Sequence, residues 1–367
     1  MRRGYGHRAW LRKLRAAAPS TRGGRVRASV AVAALAGLGL LDTTLGCDNR
    51  VLIETEGSSF SGSSGGGATG QPSGTTGSAG AQSPDERLVD LCALECGVPE
   101  EVGRVAHPEV TETSGLVVSQ RYDDGVYYLH NDSGDEARFF AIDAEGRDLG
   151  TFFLEGVQAV DWEDATGAPC GARGGEACLY FGDIGDNPES RASVSVYRTG
   201  EPERLGPGVT DVLEAERFDF RYEDGPHDAE ALVVNPSASR VLIIVKNAIG
   251  GARVYGAPLP ERAGGPPGTL RPVAEFDLPT AGLALVTAAE AHRRDGVLVR
   301  TYTGVFFHPR PAGGTMVDAL SQPGCVLPRP VEMQGEAIAP LPRQEGAGFV
   351  TIAEGAGAAI NRVRCRP

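Results

Sequence analysis

Residues 228–247 read DAEALVVNPSASRVLIIVKN, and this stretch contains the pattern on which the fold prediction depends. Glu230 stands among small residues and is followed by a short apolar run. A turn then leads into a second apolar run, residues 241–245, which stops abruptly at Lys246. Runs of β-branched and other apolar residues without polar alternation are typical of strands that are buried on both faces.

This unit occurs five times from about residue 87 onward. Each copy begins with a glutamate in a small-residue setting and continues into a short apolar run that ends at polar residues. The glutamates are Glu112, Glu163, Glu230, Glu290 and Glu336, spaced by 51, 67, 60 and 46 residues. The runs are 126–129, 179–181, 242–245, 297–299 and 349–352. Repeats of this length built from short strands predict a β-propeller.

The segments between these runs have room for further strands. We therefore predict an all-β propeller of about five four-stranded blades, with six blades as the alternative. The last repeat ends after residues 360–364 and lacks a fourth strand, whereas residues 102–110, ahead of the first glutamate, form a spare strand. Pairing these N- and C-terminal strands would close the ring and remove exposed sheet edges.

The N-terminal region is predicted to be an export signal. A basic stretch precedes the apolar run 28–41, and small residues then lead to Cys47. The run is too short to span a bilayer of about 30 Å. The Leu-Gly-Cys ending resembles a bacterial lipobox, so residues 1–46 are expected to be a lipoprotein-type signal peptide and Cys47 the lipidated residue. The alternative is an ordinary secretory signal, and both place the protein outside the cytoplasm, on the periplasmic or surface side of the cell envelope.

Residues 47–86 are expected to form a tether between this anchor and the folded domain, residues 87–367. From residue 54 to 83 the chain is almost entirely Ser, Gly, Thr, Ala and Gln, a composition that behaves as a flexible linker. The expected organisation is a membrane anchor, a linker and a propeller.

Charge and cysteine content restrict the possible partners and the compartment. The chain has a net charge of −13, and without residues 1–46 it has 26 Lys/Arg against 47 Asp/Glu, a net of −21. So acidic a surface repels phosphate backbones, and nucleic-acid binding is excluded. With Cys47 lipidated, six cysteines remain, which suits disulfides in an exported domain. Cys170 and Cys178 flank a Gly-rich loop between adjacent strands, so we predict that they pair.

Four motifs in order carry a family resemblance. They are His130-Asn131-Asp132-Ser133-Gly134, Asp161-Trp162-Glu163-Asp164, Gly182-Asp183-Ile184-Gly185-Asp186-Asn187 and Asp228-Ala229-Glu230-Ala231-Leu232. Over residues 105–355 the sequence resembles exported bacterial β-propellers related to the phytase-like esterase group. This resemblance implies a polar central channel, which in the phytases binds calcium through carboxylates and substrate phosphates through Lys and Arg. The present chain has a single lysine, Lys246, after the signal region.

Repeat symmetry predicts where the chemistry lies. Equivalent residues of successive blades stand at equivalent heights around the axis, so the five glutamates are expected to form a ring near one mouth of the channel. Hard oxygen ligands favour Ca²⁺. The predicted metal ligands are Glu163, Asp183, Asp186 and Glu230. The predicted catalytic or anion-facing residues are Lys246, Arg300 and His130. The predicted ligand-binding residues are Glu112, Asn131, Asn247, Glu290, Glu336 and Glu354. The alternative is that these polar groups cap the blades and have only a structural role.

Two functions follow from these residues. The first is a binding module, with or without calcium, that presents its channel mouth to a small anionic ligand or a protein partner. The second is a calcium-dependent phosphoric-ester hydrolase, in which Lys246 and Arg300 stabilise developing charge. The lack of several basic groups expected of a phytase favours the first, and the sequence gives no prediction of the oligomeric state.

Overall fold

A computed structural model describes residues 88–171, 175–246, 251–278 and 285–367. The expected signal peptide, Cys47 and the expected tether lie outside these residues, as does Asn247. Within them the regular elements are strands, apart from one short helix, α1 (Met316–Leu320), and the 3-10 turns Leu91–Ala93 and Arg343–Glu345. The all-β prediction is therefore confirmed. No helix of the described part has the length and apolar character needed to cross a membrane.

The first two groups of strands are antiparallel sheets that follow the chain. Group 1 consists of β3 (Thr113–Val118), β4 (Tyr127–Asn131), β5 (Arg138–Ile142) and β6 (Asp148–Leu154), and β10 (Thr210–Leu213) adds to β6 in parallel. Group 2 consists of β7 (Trp162–Pro169), β8 (Ala177–Asp183), β9 (Val194–Gly200) and β11 (Glu216–Tyr222). Between β9 and β11 the chain therefore leaves group 2 and forms β10 at the outer edge of group 1.

Groups 3 and 4 repeat the antiparallel order. Group 3 consists of β12 (Ala229–Val234), β13 (Arg240–Val245), β14 (Gly251–Pro258) and β15 (Gly268–Asp277). Its last strand also pairs in parallel with β11, so groups 2 and 3 form one continuous eight-stranded sheet. Group 4 consists of β16 (Val286–His292), β17 (Gly296–Thr301), β18 (Gly304–Pro309) and β19 (Cys325–Val326), with α1 between the last two.

The last group joins the two ends of the chain. Group 5 consists of β20 (Gly335–Pro340), β21 (Ala347–Ala353), β22 (Ala359–Arg366) and β2 (Glu100–Arg104), and β1 (Glu95–Cys96) also pairs with β22. β2 and β22 are antiparallel, with Glu100 opposite Arg362. Closure by an N-terminal strand is confirmed. The strand lies at 100–104 rather than at 102–110, and Val105 and Val110 instead enter the hydrophobic core beyond it.

The first strands of the five groups form a closed ring. β3 contacts β7, β7 contacts β12, β12 contacts β16, β16 contacts β20, and β20 returns to β3. One strand edge from each group therefore faces the axis, as in a β-propeller. This arrangement explains why the polar residues that begin these strands meet at one place.

Five hydrophobic clusters hold the groups face to face. Each cluster draws side chains from two neighbouring groups; Phe181 of β8, for example, stacks on Phe139 of β5 with ring centroids 5.1 Å apart. Because each group packs against a neighbouring group on both faces, the residues of its first two strands are buried without alternation, as in β12 and β17. Uninterrupted apolar runs in the sequence therefore result from this packing.

Three disulfides are present among the described residues. Cys170 and Cys178 pair, with Cα atoms 4.9 Å apart, which confirms that prediction. Cys92 pairs with Cys325, and Cys96 pairs with Cys365 across β1 and β22. Cys325 and Cys365 are not joined to each other, because each pairs with a cysteine of the N-terminal segment. The closing segment is therefore attached covalently to two groups of strands.

Candidate functional site

Each inner strand contains an irregularity near its start. In β7 the register passes from Trp162 to Asp164, so Glu163 is the extra residue of a bulge. Glu230 and Glu336 occupy the same position in β12 and β20. In β16 the extra residue is Thr287, and in β3 the irregularity contains Ser114. Bulges redirect a side chain and often lie beside functional sites.

The expected ring of five glutamates is thus replaced by three glutamates and two hydroxyl residues. Glu112 is exposed and precedes β3, whereas Glu290 is buried four residues beyond Val286, the first residue of β16. Thr287 Oγ1 donates to the carbonyl of Gly335 at 2.7 Å, and Ser114 Oγ donates to the carbonyl of Glu163. The two hydroxyls therefore link neighbouring inner strands, while the three bulge glutamates retain their carboxylates for the mouth.

Four carboxylates gather around that of Glu163. Oxygen atoms of Asp132, Asp161 and Glu163 lie within 4.8 Å of one another, and so do those of Glu163, Asp228 and Glu230. We call these five residues the mouth cluster. Glu163 belongs to both triplets, and all the donors are hard oxygens of the kind that Ca²⁺ and Mg²⁺ prefer. The donor set fits a divalent cation.

Gly185 makes room for two of these carboxylates. A Cβ atom at this position would overlap Glu163 Oε1 and would lie 2.6 Å from Asp161 Oδ2. The backbone amides of Ile184 and Gly185 both donate to the carbonyl of Asp161, at 3.1 and 3.2 Å. The Gly turn thus fixes the position of Asp161 and leaves a cradle that only glycine permits.

Asp183 and Asp186, predicted as metal ligands, lie next to the mouth cluster but bond elsewhere. Asp183 Oδ1 accepts from Arg191 Nη2 at 2.7 Å, and its two oxygens also accept the amides of Val160 and Asp161. Asp186 Oδ2 accepts the Arg191 amide at 2.7 Å, while its own amide donates to Asp228 Oδ1 at 2.8 Å. In this structure both residues therefore orient members of the mouth cluster.

Crowding of buried carboxylates favours their protonated forms. Glu163 is 4% exposed, and burial together with Glu230, Asp132 and Asp161 raises its pKa to about 11. Burial, with Glu230 and Glu354, raises the pKa of Glu336 to about 9. Burial also raises the pKa of Asp161. At neutral pH the carboxyl groups of Glu163 and Glu336 are therefore protonated. A bound cation would supply positive charge in the place of these protons.

Lys246 brings a positive charge to the mouth, as its isolated position in the sequence indicates. Its Nζ donates to Glu230 Oε1 and lies 6.0 Å from the ring centroid of Tyr302. Burial alone would lower the pKa of Lys246, but Glu230 outweighs burial and raises it. The ammonium therefore stays charged beside the carboxylates and within reach of an anionic ligand.

Arg300 and His130 bond to groups that do not belong to the mouth cluster. Arg300 is buried and forms an ion pair with Glu332, whose carboxylate also accepts Thr351 Oγ1 and Asn361 Nδ2. His130 is fully buried, with its ring edge-on to Trp162 and 5.5 Å from it, and its Nδ1 bonds the carbonyl of Asn131. Burial lowers the pKa of His130.

Asn131, Glu290 and Glu354 also have identifiable partners. Asn131 Oδ1 accepts the amides of Thr111 and Glu112 and so caps that turn. Glu290 is buried in the channel, where its Oε1 accepts Thr166 Oγ1 at 3.0 Å. Glu354 accepts from Gln334 at 2.7 Å at the rim, near Glu336. Of the predicted ligand-binding residues, Glu336 and Glu354 thus lie at the mouth, and Asn247 lies outside the described residues.

Sequence reasoning missed four acidic residues. Asp132, Asp161 and Asp228 belong to the mouth cluster, and a repeated Asp-x-Glu pattern, 161–163 and 228–230, could have revealed two of them. The fourth, Asp164, lies below the cluster and accepts the amides of Ala165, Leu232 and Ala289 at 2.9–3.1 Å. These donors belong to three inner strands, so the Asp164 carboxyl group connects three groups across the channel.

Comparison with known proteins shows similarity only to solved structures. No protein-family model matches the sequence, and no curated protein matches it. A gluconolactonase of Xanthomonas campestris is 12% identical, with 74% of this chain and 95% of that chain covered and a TM-score of 0.37. A glucose dehydrogenase is 9% identical, with 72% and 98% covered and a TM-score of 0.38. At these identities and TM-scores, we transfer neither activity to this chain.

Proposed function

We propose that the propeller is a calcium-binding module that presents a cation at its channel mouth and binds an anionic ligand there. The observation that carries this proposal is the sharing of Glu163 between two triplets of carboxylates whose oxygens lie within 4.8 Å of one another. Lys246 adds a second positive charge beside the same carboxylates. As part of the proposal, a lipid at Cys47 and the linker 47–86 tether the module to the cell envelope outside the cytoplasm, on its periplasmic or surface side.

The direct test is calorimetric titration of chelator-treated protein with Ca²⁺. We expect saturable binding with a dissociation constant of about 10⁻³ M or lower, since extracellular calcium modules bind at about 10⁻⁴–10⁻³ M. We expect weaker binding of Mg²⁺, which demands a near-octahedral site of smaller size. No heat of binding and no change in melting temperature with Ca²⁺ would contradict the proposal.

The melting temperature of the cation-free protein is expected to fall as the pH rises from 7 to 9. Glu163 and Glu336 have folded-state pKa values of about 11 and about 9, above their ordinary 4.5. Over this range the folded protein keeps protons that the unfolded chain has released, so its stability decreases with rising pH, by up to about 1.4 kcal/mol per pH unit and group. We expect a decrease of about 3 °C or more per pH unit.

The same melting curves recorded in saturating Ca²⁺ provide the comparison. A cation replaces the proton of Glu163, so the melting temperature is expected to be higher and its dependence on pH smaller. Glu163→Gln should also reduce the slope in the cation-free protein because glutamine does not titrate. A melting temperature that rises between pH 7 and 9 would contradict the protonated mouth.

A second candidate function is calcium-dependent hydrolysis of phosphoric esters, favoured by the position of Lys246 beside the mouth cluster. A bound cation would polarise a phosphoryl oxygen and orient water. Lys246 would offset the negative charge that develops on the phosphoryl oxygens, and Glu230, its ion-pair partner, would hold the ammonium in place. Arg300 has no part in this version because it is buried against Glu332.

Hydrolysis is tested with a panel of phosphate monoesters in Ca²⁺. If this function holds, Lys246→Ala should lower kcat by about 10²–10³-fold, the loss typical of removing one charge-stabilising donor. Arg217→Ala, which removes an exposed cation on β11, serves as the control and should leave the rate unchanged. Unchanged rates in both Lys246→Ala and Glu230→Ala would eliminate this mechanism, and no turnover at all would leave the binding module.

A further inference from the structure

Two apolar side chains stand in solvent beside the mouth. Val331 is 99% exposed and Met333 is 96% exposed, more than any other large hydrophobic residue among those the structure describes. They belong to the segment that connects β19 to β20 and thus passes from group 4 to group 5. We call Val331 and Met333 the rim pair.

The residue between them fixes their direction. The Glu332 carboxylate accepts hydrogen bonds from Arg300 Nη2, from Thr351 Oγ1 at 3.2 Å and from Asn361 Nδ2 at 2.8 Å. Arg300 and Thr351 are buried, so Glu332 anchors the segment from inside. The rim pair is therefore presented to solvent on either side of an anchored residue.

The next residue connects the rim pair to the mouth. Gln334 Nε2 donates to Glu354 Oε2 at 2.7 Å, and the carbonyl of Gln334 accepts the Glu354 amide at 3.0 Å. β20 begins at the following residue, Gly335, and its bulge residue Glu336 lies at the mouth. Met333 is thus one residue before Gln334 and three residues before Glu336 at the mouth.

We propose that the rim pair binds the alkyl chain of a soluble single-chain amphiphile whose anionic headgroup is held by the mouth cation and Lys246. The inference rests on the proposed function and names its ligand class. An anionic headgroup is selected because its oxygens can complete the coordination of a Ca²⁺ ion held by the mouth cluster and lie beside the Lys246 ammonium. The alkyl chain is inferred from the position of the rim pair. An alkyl tail that leaves the mouth on the side of Glu354 would cover the two exposed apolar side chains and remove them from water.

The test compares n-alkyl phosphates of increasing length in the presence of Ca²⁺. Hexyl phosphate is expected to bind at least about tenfold more tightly than methyl phosphate because each additional buried methylene favours the complex. The double variant Val331→Ser/Met333→Ser should bind methyl phosphate as the parent does. Its ratio of hexyl phosphate affinity to methyl phosphate affinity should fall to about one to two. Both substitutions are at fully exposed positions, so the melting temperature should not change.

A matched control replaces exposed valines elsewhere. Val98→Ser and Val212→Ser, at 87% and 60% exposed positions, should leave the ratio as in the parent. The inference is overturned if the parent shows no dependence on chain length, if the dependence persists in the rim-pair variant, or if the protein binds anionic vesicles but no soluble alkyl phosphate. If methyl phosphate binds in Ca²⁺ and longer alkyl phosphates bind no more tightly, the inference is wrong but the proposed calcium-binding function stands. If hexyl phosphate binds equally well without Ca²⁺, the proposed role of the cation is wrong, whereas binding by the rim pair stands.

Discussion

Replacing Glu163 by glutamine is expected to weaken Ca²⁺ binding by about 100-fold or more. The side chain contributes an oxygen to both carboxylate triplets, and a bound cation displaces its proton, so the substitution removes negative charge from each triplet of the cation-bound state. Calcium affinity depends strongly on the number of charged ligands, and an amide oxygen has a similar shape but no charge. Titration calorimetry of the two chelator-treated proteins measures the difference.

Two further glutamates provide matched controls. Glu112→Gln alters an exposed residue that belongs to neither triplet, and it should leave the affinity within about twofold. Glu336→Gln alters a buried bulge glutamate at the same height, and should lower the affinity by no more than about tenfold through loss of nearby charge. Equal losses in Glu163→Gln and Glu112→Gln would show that Ca²⁺ binds somewhere other than the mouth cluster.

Deleting the chain through residue 110 is expected to abolish folding at ordinary temperatures, whereas deleting residues 48–83 should leave the melting temperature nearly unchanged. The larger deletion removes β2, the outer strand of group 5, and exposes the edge of β22. It also removes both long-range disulfides, which the chain-entropy model values at about 5 kcal/mol each for loops of this length. Residues 48–83 have the composition of a flexible linker, which is expected to contribute no packing to the folded domain.

The measurement is the melting temperature of the two truncations side by side under oxidising conditions. The double variant Cys92→Ser/Cys96→Ser separates the crosslinks from the strand because it keeps β2 while removing two disulfides. We expect it to melt well below the parent but to retain a cooperative transition. Equal melting temperatures for the two deletions would contradict the conclusion that residues 100–104 close the ring.

The parts of the fold that the sequence predicts are those determined locally or by repetition. The apolar runs locate β4, β8, β13, β17 and β21 because burial on both faces leaves no polar alternation. The eight-residue spacing of Cys170 and Cys178 limits that pair to one loop. The closing strand is foreseen because the last repeat lacks a strand.

The register of the site is harder to predict. A bulge inserts one residue and sends the following side chains to the other face, and nothing in the glutamate spacing shows where it lies. Glu112 and Glu290 therefore resemble Glu163 in sequence but differ from it in position. Arg300 and Lys246 both follow apolar runs, yet Arg300 lies inside its strand and Lys246 just beyond its own. The long-range disulfides are equally hidden, because six cysteines allow fifteen connectivities.

The covalent attachment of the N-terminal segment also determines the order in which the disulfides can form during synthesis. Cys92 and Cys96 are synthesised 233 and 269 residues before their partners, a delay of about ten to fifty seconds at about 5–20 residues per second. Cys170 and Cys178 emerge during that interval, and their short separation favours local pairing. The ring can be locked only when Cys365 arrives. Until then two early thiols must escape mispairing or be released from it, so the yield of correctly crosslinked protein should depend on catalysed disulfide exchange.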